Sequence, residues 1–241
     1  MKGVFITFEG TEGSGKSTHV RLLAERLRAE GRIVRVLREP GGTPIGEEIR
    51  HTLKHSQRNH AMTPEAELLL MNASRAQLVR EVIRPALAAG EIVLCDRFYD
   101  STIAYQGYGR RLDPGMVRAV VGFAVGDTHP DLTLFLSVPV GISEERRLAR
   151  QQAMLLDISL ITQKPEECAK LPFSEPLRDR MEEADREFFE RVEKGFNAIA
   201  AAEPERICTI DSTGPLESVK SAVWERTEQL LARPSRRATS R

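Results

Sequence analysis

A glycine-rich segment near the start of the chain carries the first residues whose types and spacing suggest chemistry. Glycines allow backbone N–H groups to turn inward around phosphate oxygens, and a following helix adds its partial positive charge. A lysine at this spacing places a charge on the β- and γ-phosphates, and the next hydroxyl can hold Mg²⁺. The segment therefore predicts a binding loop for a nucleoside triphosphate, formed by Gly10, Thr11, Glu12, Gly13, Ser14, Gly15, Lys16 and Ser17.

Four more segments lie where a second substrate could bind. They are Arg38-Glu39-Pro40-Gly41-Gly42-Thr43, Ser74-Arg75-Ala76-Gln77, Asp96-Arg97-Phe98-Tyr99-Asp100-Ser101 and Ala104-Tyr105-Gln106-Gly107. Arg75 and Arg97 could each hold a phosphate through charge-assisted hydrogen bonds. Asp96 ends an apolar strand, the usual place for an aspartate that binds Mg²⁺ beside such a loop. We predict Ser17 and Asp96 as the metal-binding residues.

In this order and spacing, these segments resemble the thymidylate kinase family, over roughly residues 2–232 apart from residues 151–176. The resemblance implies that Arg97 contacts the acceptor phosphate, that Glu12 accepts a hydrogen bond from the sugar 3′-hydroxyl, and that Tyr105 disfavours ribonucleotides. It implies an acceptor site formed by Glu12, Arg38, Pro40, Met71, Arg75, Arg97, Thr102, Tyr105 and Gln106.

A lid with catalytic arginines is a further expectation from the resemblance. Asp179-Arg180-Met181-Glu182 is similar to the family's lid motif. The phosphate loop has no basic residue besides Lys16, so the transition-state cation should come from elsewhere. We expect Arg180 to supply it, with Arg150 as the second candidate, beside Lys16 and Arg97.

Three positions depart from the family's pattern. Met71 stands where the family often has a phenylalanine that stacks on thymine, although a methionine sulfur can also lie against an aromatic ring. Ser137 stands where the family often has an aspartate. The lid is interrupted by residues 151–176, which fit neither strand nor helix cleanly and read as a surface insertion or, alternatively, as a cover or partner contact.

Alternating apolar runs and helical patterns must position these residues. Strands are predicted at 4–8, 33–37, 92–95, 132–138 and 207–210, and helices at 18–30, 64–82, 114–124, 176–202 and 216–231. This alternation favours an α/β fold of the P-loop kinase type, with a five-stranded, mostly parallel sheet between helices and a mobile lid. We expect one domain over 1–232, a lid over about 146–182, and a basic solvated tail over 233–241. Such sheets bind ligands at the carboxyl ends of their strands.

The amino-acid composition argues against several other classes of protein. The 241 residues carry 35 basic and 35 acidic side chains, so no net charge favours nucleic acid or an acidic membrane. No apolar run approaches a membrane span. The three cysteines are far apart, which argues against disulfides and fits a cytoplasmic protein.

The expected activity is the transfer of a phosphoryl group from ATP to dTMP, with Mg²⁺ required, in dTTP synthesis. The family resemblance suggests a homodimer, and no membrane or nucleic-acid partner is expected. Two alternatives remain: another nucleoside monophosphate kinase, and a nucleotide-dependent switch without phosphotransfer.

Overall fold

The computed structural model describes residues 3–56, 58–161 and 185–232. Its centre is a sheet formed by β1 (Val4–Glu9), β2 (Val34–Arg38), β3 (Ile92–Asp96), β4 (Leu132–Ser137) and β5 (Ile207–Asp211). The strand order is β2-β3-β1-β4-β5, and every neighbouring pair is parallel. The predicted α/β fold with a five-stranded sheet is confirmed.

Helices cover both faces of this sheet. They are α1 (Lys16–Ala29), α2 (Pro44–Lys54), α3 (Pro64–Leu78), α4 (Arg84–Ala88), α5 (Tyr99–Thr102), α6 (Pro114–Val125), α7 (Val140–Ile161), α8 (Arg186–Ala202) and α9 (Leu216–Ala232). Among the residues described, none of these helices is both long and apolar enough to cross a membrane.

The central strand shows why the sheet needs cover on both sides. Phe5 packs into a core with α3 and α6, whereas Ile6 and Phe8 pack into a second core with α1 and α9. All three side chains are fully buried. Burying each one contributes roughly 1.5–3 kcal/mol, and alternate residues of a strand point to opposite faces, so each face requires its own helical layer.

Two helical segments near the cleft, α2 and α5, lie outside the predicted helices. Helix α2 begins after Thr43, whose side chain accepts a hydrogen bond from the backbone N–H of Gly46. Helix α5 continues as a π-helix over Ile103–Gly109, and another π-helix, Val79–Ile83, joins α3 to α4. The phosphate loop, α2 and α5 follow the ends of β1, β2 and β3, so they lie at the same edge of the parallel sheet.

The interpretation of residues 151–176 as irregular is wrong for 151–161. These residues continue α7 without a break. The physical reason is that residues 151–161 contain neither proline nor glycine, and the first proline of the stretch is Pro165, so no helix-breaking residue interrupts α7 here. The remainder of that insertion, the first part of the helix predicted at 176–202 and the tail 233–241 lie outside the described residues.

A buried ion pair joins the segment after β3 to the start of β5. Asp100 is almost fully buried, and Arg206 donates two hydrogen bonds to its carboxylate, at 2.7 and 2.9 Å. Arg206 also donates to the Thr133 hydroxyl at 2.7 Å and pairs with Glu203. Removing one member would leave a buried charge without its partner.

We therefore predict that Arg206→Met lowers the free energy of unfolding by about 3–5 kcal/mol, measured by urea denaturation. The double variant Arg206→Met/Asp100→Asn should recover a large part of that loss, because no uncompensated charge stays buried. Equal instability of the single and double variants would show that the cost comes from lost packing of the arginine instead.

Candidate active site

The phosphate loop connects the end of β1 to the start of α1. Gly10 has φ +141°, and a Cβ atom there would lie 2.5 Å from the carbonyl oxygen of Leu136, so only glycine fits. The Lys16 ammonium crosses the loop and donates to the carbonyl oxygens of Gly10 at 3.1 Å and Thr11 at 2.7 Å. The loop is thus closed around its own lysine. It precedes a helix, as the sequence predicts.

Side chains from the ends of β4 and β5 hold this loop from outside. The Ser143 hydroxyl donates to the carbonyl of Glu12 at 2.6 Å, and the Ser212 hydroxyl donates to that of Ser14 at 2.8 Å. Arg146 donates to the carbonyls of Gly13 and Ser212. Sequence reasoning missed both serines, although their places after β4 and β5 are a usable signal.

The two predicted metal-binding residues meet at the loop. Ser17 donates its hydroxyl proton to the Asp96 carboxylate at 2.5 Å. Hydroxyl and carboxylate oxygens are ligands that Mg²⁺ accepts, and the ion commonly takes only one or two carboxylates from the protein beside substrate phosphates. In the described ranges, no three His, Cys, Asp or Glu side chains gather into a ready metal cluster. The pair therefore fits a metal that a bound nucleotide helps to hold.

A cleft opens beside the phosphate loop. It is lined by Glu12, Glu39, Pro40, Lys54, Met71, Arg75, Arg97, Phe98, Ser101, Thr102, Tyr105 and Gln106. Eight of the nine residues predicted for the acceptor site belong to this lining. The ninth, Arg38, is exposed and instead pairs with Glu47 at 3.0 Å.

Arg97 connects the phosphate loop with the cleft. Its backbone has φ +70°, which is unusual for a residue other than glycine. One terminal nitrogen donates to the carbonyl of Gly10 and to the Ser101 hydroxyl, both at 2.9 Å. The other donates to Glu12 at 2.7 Å and to the Tyr105 hydroxyl at 3.2 Å. All four terminal N–H groups of Arg97 therefore have acceptors within the protein.

Tyr105 also connects the phosphate loop with the cleft. Its hydroxyl donates to the second oxygen of Glu12 at 2.6 Å. Its buried ring packs edge-on against Phe188 and Phe196 of α8. The hydroxyl is therefore held at the cleft wall by a rigid aromatic cluster.

At the other end of the cleft, Arg75 is almost fully buried and paired with Glu39 at 2.7 Å. It also donates to Asn72, Thr102 and the carbonyl of Phe98. Burial raises the pKa of Glu39 against the opposing effect of Arg75. One oxygen of this carboxylate is buried and has no hydrogen-bond partner among the described residues.

The remaining predicted residues divide between the cleft wall and regions that the structure leaves undescribed. Met71 is half-buried on α3, and Gln106 donates to the buried carboxylate of Glu67 at 2.8 Å. Arg150 lies on α7, but its side chain is outside the described part. Arg180 lies outside the described residues altogether.

The charged groups around the phosphate loop shift one another's pKa values. Burial, with the nearby charge of Arg97, lowers the pKa of Lys16 to about 8. Burial alone would raise the pKa of Glu12, but Arg97 and Lys16 outweigh it and bring that pKa to about 2. Burial and the neighbouring Asp100 raise the pKa of Glu9 to about 8. Glu9 accepts a hydrogen bond from the backbone N–H of Phe98 at 2.8 Å, which fixes the chain after β3.

Known proteins with similar sequences and structures share one family. The family model described as "Thymidylate kinase" matches residues 8–223. The chain is 44% identical to the thymidylate kinase of Alcanivorax borkumensis, over 97% of this chain and all of that protein. It is 44% identical to that of Pseudomonas fluorescens, over 97% and 99% of the two chains. The crystal structure of thymidylate kinase from Ehrlichia chaffeensis superposes with a TM-score of 0.69, at 31% identity, covering 95% of this chain and 99% of that one.

The lowered pKa of Lys16 generates a prediction on nucleotide binding. Only the charged ammonium attracts phosphate, and with a pKa of about 8 the charge is lost as the pH rises through that value. The affinity for ATP, measured by titration calorimetry between pH 7 and pH 10, should fall by up to about tenfold per unit above pH 8.

The control variant is Glu9→Gln, because Glu9 is the neighbouring group that titrates in the same range. The fall should persist in this variant if Lys16 causes it. An affinity that stays constant up to pH 10 would show that Lys16 keeps its charge.

Proposed function

The chain belongs to the thymidylate kinase family, and we infer from this that it phosphorylates dTMP to dTDP with ATP as the phosphoryl donor. The observation that carries this conclusion is the identity of about 43–44% to thymidylate kinases over nearly the whole chain. The cleft beside a complete phosphate loop gives that activity a physical site. The protein is thus a nucleotide-binding transferase of nucleotide biosynthesis.

We propose that the donor triphosphate occupies the loop from Gly10 to Ser17. Lys16 would exchange its contacts to the loop carbonyls for the β- and γ-phosphates, while the backbone N–H groups at the start of α1 face the same oxygens. A Mg²⁺ ion held near Ser17 and Asp96 would supply charge neutralisation on the phosphates. The protein's own contribution is to align donor and acceptor and to exclude water.

The acceptor would lie along the cleft with its phosphate toward the loop. Transfer requires the acceptor phosphate to approach the γ-phosphate in line, and Glu12 and Arg97 form the end of the cleft nearest the loop. The base would then reach Met71, Thr102 and Gln106. The sugar would pass Glu12 and Tyr105, where the 3′-hydroxyl can donate to the Glu12 carboxylate.

In this arrangement Arg75 stabilises the end of the cleft that would hold the base, without contacting the nucleotide itself. Its five contacts to acceptors within the protein keep Glu39, Asn72 and Thr102 in place. Its guanidinium would contact the acceptor base only by exchanging one of these partners. Arg97 would likewise have to exchange one of its protein contacts in order to bind the acceptor phosphate. Arg38 donates a hydrogen bond to Glu47 and does not line the cleft. Its position therefore does not support the predicted role in acceptor binding.

The transition-state cation is proposed to come from the lid. Arg180 and, as second candidate, Arg150 stay predictions, together with a lid over about 146–182 in a single domain of residues 1–232. Two described arginines contact the loop, Arg146 at the carbonyl of Gly13 and Arg97 at the carbonyl of Gly10 and at Glu12, and both are engaged in protein contacts.

We propose a homodimer on the basis of an exposed apolar surface. Leu69 of α3 and Met116 and Phe123 of α6 are 59%, 61% and 84% exposed, and these two helices pack against each other. A second copy would cover this surface. A cytoplasmic location also stays a proposal, supported by the free thiols of Cys95 and Cys208.

The proposed activity predicts a clear order of acceptors. In a coupled assay of ADP release across dTMP, dUMP, UMP, CMP, AMP and GMP, dTMP should have the highest kcat/KM, about tenfold above dUMP, which lacks only a methyl group. Lys16→Ala should remove most of this turnover. Preference for another monophosphate would favour a different nucleoside monophosphate kinase, and absence of turnover with every acceptor would favour a nucleotide-dependent switch.

The position of Tyr105 predicts how the enzyme selects deoxyribose. If its ring occupies the space of a 2′-hydroxyl, the ratio of kcat/KM for dUMP and UMP should be about a hundred in the wild type and fall below about ten in Tyr105→Ala. Tyr105→Phe is the matched control, because it keeps the ring and loses only the hydroxyl that contacts Glu12. This control should retain the selectivity, and a ratio unchanged in Tyr105→Ala would contradict the steric role.

A further inference from the structure

Two carbonyl groups of the phosphate loop accept hydrogen bonds from serines that lie outside the loop. The Ser143 hydroxyl donates to the carbonyl of Glu12 at 2.6 Å, and the Ser212 hydroxyl donates to that of Ser14 at 2.8 Å. Both serines are almost fully buried. Each hydroxyl is therefore largely shielded from competing water and can fix the direction of one carbonyl.

The direction of each carbonyl also sets the direction of the N–H group in the same peptide unit. A peptide unit is planar and trans, so its C=O and N–H bonds point to opposite sides. With the carbonyls of Glu12 and Ser14 turned outward to the serines, the N–H groups of Gly13 and Gly15 turn toward the interior of the loop. Within the described residues, neither N–H donates to another group of the protein. Inward N–H groups of this kind are the donors that an anion-binding loop requires.

The glycines of these two peptide units permit the conformation but do not enforce it. Gly13 and Gly15 have φ angles of +76° and +88°, in the region that favours glycine. Because glycine adopts positive and negative φ almost equally well, a peptide unit next to it can rotate at little cost. A Cβ atom on Gly13 would lie 3.0 Å from the carbonyl oxygen of Ser143, so α7 also packs directly on this peptide. The contacts from outside must therefore select one orientation.

The two serines are themselves anchored at the ends of β4 and β5. The backbone N–H of Ser212 donates to the carbonyl of Ser137 at 2.9 Å, directly after the paired residues of the two strands. The backbone N–H of Ser143 donates to the carbonyl of Pro139 at 3.0 Å, in the first turn of α7. The hydroxyls thus have fixed positions relative to the sheet, and the loop is held against a rigid support.

We propose that Ser143 and Ser212 are positioning residues for the donor triphosphate, because they hold the N–H groups of Gly13 and Gly15 toward its phosphate oxygens. This inference rests on the proposed placement of ATP in the loop. Neither hydroxyl touches the nucleotide, and no bond is made or broken by the serines. Without them, the two peptide units rotate in the unliganded loop and must be ordered again when ATP binds, which weakens the affinity.

The same hydrogen bonds have a simpler role in the stability of the fold. Each one satisfies a buried hydroxyl and a loop carbonyl, and its loss would lower the free energy of unfolding. That role leaves the ligand affinities of the folded protein unchanged. The two roles are therefore separated by measuring affinity and stability on the same variants.

The experiment measures the dissociation constants of ATP and of dTMP for the purified full-length protein by titration calorimetry. Ser143→Ala and Ser212→Ala should each weaken ATP binding about threefold to tenfold, the range expected for one lost hydrogen bond. They should leave dTMP within about twofold, because the Glu12 carboxylate keeps its contacts to Arg97 and Tyr105.

Steady-state kinetics give a second measurement on the same variants. The KM for ATP should rise by a similar factor, while kcat stays within about twofold, since the inward N–H groups serve the bound and the reacting triphosphate alike. A fall in kcat with an unchanged KM for ATP would contradict a role in ground-state binding of the donor.

Two matched variants separate the hydrogen bond from packing and from general stability. Ser212→Cys keeps nearly the same shape but has a weak donor, so it should behave like Ser212→Ala. Thr227→Val removes a buried hydroxyl that donates to the carbonyl of Val223 at 2.8 Å within α9. It should lower the free energy of unfolding in urea and keep the wild-type affinity for ATP.

Several outcomes would overturn the inference. If both alanine variants lose stability but bind ATP as the wild type does, the serines only stabilise the fold. If ATP and dTMP weaken equally, or if Thr227→Val has the same effect, the change is a general disturbance of the protein. If Ser212→Cys restores the affinity, packing is the cause. If one alanine variant does not fold, the other decides by the same criteria. If the wild-type protein does not bind ATP, the proposed donor itself is wrong, and that result is distinct from the others.

Discussion

The ion pair between Arg97 and Glu12 is the contact on which the arrangement of the site depends. Glu12 lies in the loop that would hold the donor, and Arg97 follows β3 on the acceptor side. Tyr105 donates to the same carboxylate, so three segments of the chain meet at one group. Phosphoryl transfer needs two nucleotides aligned to within a fraction of a bond length, and a buried, charge-assisted network provides a rigid reference for both.

A parallel sheet makes this meeting possible. The strands β1, β3, β4 and β5 end at one edge, and the residues after them carry the loop, Asp96 with Arg97, Ser143 and Ser212. Because the interior strands are buried on both faces, their charged side chains, such as Glu9 and Asp96, lie at the strand ends. The requirement for a covered sheet and the requirement for a concentrated polar site are therefore satisfied by the same topology.

Pairing of charges has a further consequence for ligand binding. Arg75 and Arg97 are held by carboxylates, carbonyls and hydroxyls before any ligand arrives, which avoids the cost of burying unpaired charges. A ligand that binds either arginine must then compete with these protein contacts. The cleft wall is thus held rigid by paired charges before a ligand binds.

The amino-acid sequence alone determined the loop from Gly10 to Ser17, the five strands and the family, because each rests on local spacing or on periodicity along the chain. In the structure, Pro40, Met71, Tyr105 and Gln106 line one cleft. Local patterns could not show that Arg38 turns away to Glu47, that Arg75 is committed to Glu39, or that Lys54 reaches the cleft. These outcomes depend on how α2 and α3 pack on the sheet, since the partners of a charged side chain are chosen by distance in space and not by distance along the chain. The same holds for Ser143 and Ser212, which reach the loop from more than a hundred residues away only because β4 and β5 run parallel to β1.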